Sequence, residues 1–169
     1  RKKLRYMEDF IITNNEVIEY LNLDNSIDYI YLKNSLTSLP YKFGIVNCGF
    51  NCSGLKLTSL NNCPIAVSGI FSCHKCEHLT NLIGAPKVVG SKFICSRCKN
   101  LKTLEGAPKH INNNFDCVEC ISIKTLEGSP NIVNGDFNCS GCYSLVSLKG
   151  VQYINGNFRH THCPNLILD

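Results

Sequence analysis

A spacing of 22 residues recurs through most of this chain of 169 residues and limits what it can fold into. Phe71, Phe93, Phe115 and Phe137 keep that step. So do Cys73, Cys95, Cys117 and Cys139, and again Cys76, Cys98, Cys120 and Cys142. Leu79, Leu101, Ile123 and Leu145 follow, with Leu82, Leu104, Leu126 and Leu148 behind them. A period in the range of about 20–50 residues marks a solenoid, in which short coils stack one on the next. Solenoids work mainly by presenting a surface, so a binding protein is expected before an enzyme.

One coil shows the logic. Residues 90–108 read Gly-Ser-Lys-Phe-Ile-Cys-Ser-Arg-Cys-Lys-Asn-Leu-Lys-Thr-Leu-Glu-Gly-Ala-Pro. Phe93 and Cys95 are two apart, so on a strand they share one face, while Lys92, Ile94 and Ser96 take the other. Leu101 and Leu104 cover the coil interior after the chain turns. Gly106 and Pro108 mark the next turn, as do Gly84 with Pro86 and Gly128 with Pro130. Val89, Ile111, Val133 and Ile154 add an apolar residue before each following strand. A single coil of this kind cannot bury its apolar face, and stacking at about 4.8 Å places like residue on like residue.

Cys98-x-x-Leu101 resembles the C-x-x-L form of the leucine-rich repeat, as do Cys76/Leu79, Cys120/Ile123, Cys142/Leu145 and Cys163/Leu166. Asn34-Ser35-Leu36-Thr37-Ser38-Leu39-Pro40 resembles the N-x-L form. The strings at 104–108 and 135–140 are similar to the degenerate leucine-rich-like repeats common in tailed phages and other viruses. The resemblance implies a β-rich, right-handed coil stack with one parallel β-sheet on one face. It also implies a viral protein that binds and inhibits or redirects a host protein, an antiviral-defence effector among the candidates. Gly, Ser or Asn stands where the repeat's first Leu would be.

Residues 1–28 do not repeat. Thr13-x-x-Glu16 resembles a capping box, and Val17, Ile18 and Leu21 fit an apolar helical stripe, so a short N-terminal helical cap is expected over 1–28 and the solenoid over 29–169. Arg1, Lys2, Lys3 and Arg5 could instead serve a partner-binding arm. The stretch 41–55 reads as irregular, with Cys48 and Cys52 out of register. His160 replaces the first Cys of the last coil.

The 12 cysteines admit three readings. The four C-x-x-C pairs satisfy a zinc template literally, with Cys73, Cys76, Cys95, Cys98, Cys117, Cys120, Cys139 and Cys142 as ligands. Zinc needs four donors converging tetrahedrally. It has no need of cysteines that repeat together with Phe, Leu, Gly and Pro. Free Cys behaves as a small buried hydrophobe, so an inward ladder is the preferred reading. The second Cys of each pair takes the position that, by the resemblance to the leucine-rich repeat, faces the turn, where its thiol can donate to backbone carbonyls. Disulfides between stacked coils are the third. No export signal is visible, so reduced thiols and a cytoplasmic location (the host cytoplasm, if viral) are expected.

No Gly-rich phosphate loop, paired carboxylates or Ser/His/Asp pattern is present, and no catalysis or cofactor is expected. No apolar run approaches the roughly 20 residues that span a bilayer. The net charge of +4 is mild and scattered, which argues against duplex nucleic acid as partner. His160, His162 and Cys163 form the one suggestive local cluster.

The outward strand positions are the natural partner-binding face. Coil by coil they are Ile70, Ser72 and His74; Lys92, Ile94 and Ser96; Asn114, Asp116 and Val118; Asp136, Asn138 and Ser140; then Asn157, Arg159 and Thr161. They vary while the inward positions are monotonous. Charges of both signs beside aliphatics suit a protein epitope better than a phosphate backbone. The expected function is therefore non-enzymatic protein binding, with a host protein as partner. A zinc-dependent nucleic-acid-binding module and a virion assembly component are the alternatives. The sequence leaves the oligomeric state open.

Overall fold

The computed structural model describes residues 17–21, 29–31, 36–39 and 42–168. Every element among them is a strand. In chain order these are β1 (Val17–Leu21), β2 (Tyr29–Tyr31), β3 (Lys42–Val46), β4 (Gly49–Asn51), β5 (Ala66–Val67), β6 (Phe71–Ser72) and β7 (Val88–Val89). There follow β8 (Phe93–Ile94), β9 (His110–Ile111), β10 (Phe115–Asp116), β11 (Ile132–Val133), β12 (Phe137–Asn138), β13 (Tyr153–Ile154) and β14 (Phe158–Arg159).

The odd strands form one seven-stranded parallel sheet, β1-β3-β5-β7-β9-β11-β13, and the even strands a second, running β2 to β14. The architecture is a parallel β-solenoid with a period of about 22 residues, as the repeat implies. It differs in having two sheets where one was expected. Val89, Ile111, Val133 and Ile154, read from sequence as apolar fillers, are themselves strand residues of the first sheet. Each coil makes two short strands because the chain turns between them. In the third coil, for example, Gly90 N donates to Val67 O at 2.9 Å and Phe93 N to Asn114 O at 3.0 Å.

Val17–Leu21 correct a second expectation. These residues pair in parallel with β3, Val17 opposite Lys42 and Leu21 opposite Val46, and are not helical. Apolar residues at positions 17, 18, 20 and 21 satisfy a strand as well as a helical stripe, and β-branched and aromatic types favour the strand. The rest of 1–28 lies outside the described residues, including the proposed capping box and the basic residues. Residues 42–55 of the stretch expected to be irregular are not so. They supply β3 and β4, and β4 pairs Phe50 with Phe71, a step of 21 rather than 22. Phe158 pairs with Phe137 at the same shorter step. Cys52, which the 22-residue frame leaves out of register, therefore stands in line with Cys73.

The interior is a set of columns. Phe50, Phe71, Phe93, Phe115 and Phe137 are buried, and Phe158 is half-buried. Their ring centroids lie between 5.0 and 6.1 Å apart, continuing into an edge contact of Phe43 on Phe50 at 5.0 Å. Beside this ladder run columns of Cys, of Leu or Ile (Leu79, Leu101, Ile123, Leu145), of Leu (Leu60, Leu82, Leu104, Leu126) and of Val or Ile from the first sheet, buried except at Ile154 and Cys163 in the last coil. Burying an aromatic or aliphatic side chain contributes roughly 1.5–3 kcal/mol, which is why a fold of two-residue strands persists at all.

Two columns carry backbone demands. Gly84, Gly106, Gly128 and Gly150 have φ between +84° and +114°. A Cβ on Gly106 would lie 2.3 Å from the carbonyl carbon of Leu82 in the preceding coil, so the position excludes a side chain on both counts. The third residue of each C-x-x-C turn is left-handed too: Lys75, Arg97 and Glu119 have φ between 56° and 61°, with Gly141 at 73°. That conformation lets the second Cys turn back inward, and Cys76 N donates to Cys73 O at 3.2 Å to close the turn.

Candidate interaction surface

The outward residues expected to meet a partner lie together on the second sheet. Ser72, Ile94, Asp116, Asn138 and Arg159 form one column in strand register. Ile70, Lys92, Asn114, Asp136 and Asn157 precede it, and His74, Ser96, Val118, Ser140 and Thr161 follow it into the turns. Much of this face serves the solenoid itself. Asp116 Oδ1 accepts from Val118 N at 3.0 Å, and Asn138 Oδ1 from Ser140 N at 3.0 Å, which fixes the strand-to-turn corner of those two coils. Asn114 Oδ1 accepts from Asp136 N at 2.9 Å, and Asp136 Oδ1 from Asn157 N at 2.8 Å. The bond from the Asn157 backbone, with the Asn157 amide and Arg159 behind it, holds the Asp136 carboxyl below its ordinary value.

Ser72 and Ser96, read from sequence as outward, are buried. Ser72 Oγ lies 2.8 Å from Ser53 Oγ, and Ser96 Oγ lies 3.0 Å from His74 Nδ1. The covering groups come from the neighbouring coil, and His74 is particular to one coil, so the repeat gives no sign of them. Burial, followed by the charges of Lys75 and Arg97, lowers the affinity of His74 for a proton. Ile94 and Val118, expected as exposed aliphatics, are half-buried. What stands clear of the sheet is concentrated at Asn157, Arg159 and Thr161. Salt bridges cross coil boundaries at the rim: Arg97 with Glu119 at 3.0 Å and Arg159 with Asp136 at 3.2 Å.

The first sheet bears an apolar column that sequence reasoning missed. Ile45 is paired with Ala66, Ala66 with Val88, and Ile132 with both His110 and Tyr153. Val88 and Tyr153 are 57% and 56% exposed, with Ile45 and Ile132 less so. The adjoining outward positions are Ser68, Gly90, Asn112, Asn134 and Asn155, so these two columns hold neither acid nor lysine or arginine. The signal was present: Val88-Val89 and Ile132-Val133 are apolar pairs, and alternation leaves one member of each outside.

Ten of the twelve cysteines form two inward columns. Cys52, Cys73, Cys95, Cys117 and Cys139 make the first, and Cys76, Cys98, Cys120, Cys142 and Cys163 the second. Each second-column thiol reaches down to the carbonyl of a first-column residue. Cys76 Sγ donates to Cys52 O at 3.1 Å, Cys98 to Cys73 O at 3.2 Å, Cys120 to Cys95 O at 3.1 Å and Cys142 to Cys117 O at 3.3 Å. The expected thiol-to-carbonyl bond is thus made between coils. Contact with Cys98, together with burial, pushes the Cys73 thiol up, and Cys142 does the same to Cys117. Among the described residues, no group of three or more His, Cys, Asp and Glu is arranged to hold a metal ion. His160 packs its ring on Phe158 at 5.3 Å, while His162 sits in a left-handed turn at φ 57°. Strand alternation therefore does not carry from one to the other.

No helix among the described residues is long and apolar enough to cross a membrane. Comparison of the chain with protein-family models, curated proteins and solved structures finds no match.

Proposed function

We propose that this chain is a non-enzymatic protein-binding solenoid whose partner docks on the outer face of the second sheet. The observation that carries the reading is the contrast along the stack. Inward columns repeat Phe, Cys and Leu almost without change. The outward column beside them runs Ser72, Ile94, Asp116, Asn138, Arg159. Packing explains the first pattern; local bonds of Ser72, Asp116, Asn138 and Arg159 use part of the second but do not require it to change from coil to coil. Charges of both signs next to half-buried aliphatics match the composition of a protein epitope, whereas a nucleic-acid face would call for a basic stripe. The resemblance to degenerate viral leucine-rich-like repeats supports a host protein as the partner, bound so as to inhibit or redirect it.

The apolar column on the first sheet is the competing face, because exposed clusters of large aliphatics mark binding surfaces. Capture from a host lysate with Ile94→Lys and Val88→Lys separates the two. Ile94→Lys sets an ammonium beside Asp116, its neighbour in register, so it removes an apolar contact while attraction to that carboxylate offsets repulsion from Lys92 on the same face. Loss of one captured protein with Ile94→Lys, at an unchanged melting temperature, supports the second sheet. Loss with Val88→Lys alone moves the site to the first. No specific capture by the parent protein refutes the reading.

A further inference from the structure

The two cysteine columns pair from coil to coil. Each thiol of the second column lies against one residue of the first, one coil earlier. Cys63 also touches Cys52, so that thiol alone has two neighbours to choose between. Cys73 and Cys98 are in thiol contact across the coil boundary, as are Cys95 and Cys120, Cys117 and Cys142, and Cys52 and Cys76. The carbonyl bonds set the same partners, and Cys163 Sγ extends the series to Cys139 O at 3.4 Å. The sequence motif suggests a different pairing, Cys73 with Cys76 inside one turn. In the fold the side chain of each second cysteine points away from that partner's coil level and into the coil below.

We propose that these columns are a modification site for peroxide, in which oxidation links each coil to the next through Cys52–Cys76, Cys73–Cys98, Cys95–Cys120, Cys117–Cys142 and Cys139–Cys163. The chemistry balances with one peroxide per pair. One sulfur attacks a peroxide oxygen; the O–O bond breaks, an S–O bond forms, and water leaves, giving a sulfenic acid. The facing thiol attacks that sulfur; the S–S bond forms, the S–O bond breaks, and a second water leaves. Two thiols are oxidised and one peroxide is reduced to two waters.

Access sets the order. Every other paired cysteine is buried, and Cys163 is half-buried. Burial pushes the Cys163 and Cys139 thiols up, whereas contact with Cys117 pulls Cys142 down. Reaction therefore begins at Cys139–Cys163 and proceeds inward as coils open locally. The product is a stack sewn along its interior. Each bridge closes a loop of about 25 residues, a length at which a cross-link restrains the unfolded chain substantially.

The test is peptide mapping. The reduced, folded protein is treated with limiting hydrogen peroxide, alkylated, digested without reduction and analysed by mass spectrometry. The expected result is cross-linked peptides of Cys139–Cys163 first, then Cys117–Cys142 and Cys95–Cys120, with a higher guanidinium midpoint that dithiothreitol reverses. Cys98→Ser should leave Cys73 unpaired and the other bridges intact. Bridges within one turn, such as Cys73–Cys76, overturn the assignment. So does oxidation that stops at sulfinic acid with no cross-link, or thiols that stay free while the control peptide is consumed. Should Cys98→Ser fail to fold, the parent map decides alone.

Discussion

Gly106→Ala should destabilise the protein by about 3–5 kcal/mol, and Gly54→Ala by about 1 kcal/mol or less, although both glycines have positive φ. At Gly54 the φ is +72° and nothing lies within 4 Å of the added Cβ, so only the backbone cost remains. A left-handed conformation costs an L-residue roughly 1–2 kcal/mol. The stiffer unfolded chain returns about 0.4–1 kcal/mol of that. At Gly106 the φ is +97° and the new methyl would meet the backbone of Leu82 and Ile83 at 2.3–2.4 Å. Relief needs the coils to part by about 1 Å. That parting strains the bond from Leu82 N to Glu105 O, now 2.8 Å, whose loss would leave a buried donor unsatisfied at about 1–3 kcal/mol. Overpacking adds about 1–3 kcal/mol. The assay is equilibrium guanidinium unfolding followed by far-UV circular dichroism, since the chain has no tryptophan. If the two variants fall within about 0.5 kcal/mol of each other, close approach between coils is not what selects glycine in that column.

Phe115→Ala removes a ring packed at 5.4 Å on Phe93 and 5.0 Å on Phe137, and should cost about 3–5 kcal/mol in the same assay. Stability should fall as pH drops through about 6.5, because the unfolded chain takes up a proton at the ordinary imidazole value while half-buried His74 still resists one. The loss is complete below the folded value, and His74→Gln should flatten that part of the guanidinium midpoint curve between pH 5 and 8.

The interior was legible because its columns obey one period. Phe93, Cys95, Cys98, Leu101 and Leu104 repeat so regularly that burial follows from spacing alone. Phe50 and Cys52 escaped because their coil is one residue shorter, and a fixed frame passes over them. The second sheet escaped because two residues of strand give no alternation to read. Val88-Val89 looks like filler until its partners on either side are known. The outward face was legible as a set of positions, but its burial was not. Ser72 and Ser96 are covered by Ser53 and His74, contacts that depend on which coil stands next to which. At Val17–Leu21 the pattern satisfied two periods, and pairing with β3 decided between them.

The columns have an evolutionary consequence as well as a mechanical one. Because Val67, Val89 and Ile111 occupy equivalent places, as do Phe71, Phe93 and Phe115, the interior barely distinguishes a coil from its neighbour. Removing 22 consecutive residues, or duplicating them, would bring together junctions the stack already contains. Unequal recombination can therefore lengthen or shorten such a gene in whole coils without opening a hole in the core. The outward columns are then reshuffled in the same event, giving a new surface in one genetic step rather than residue by residue.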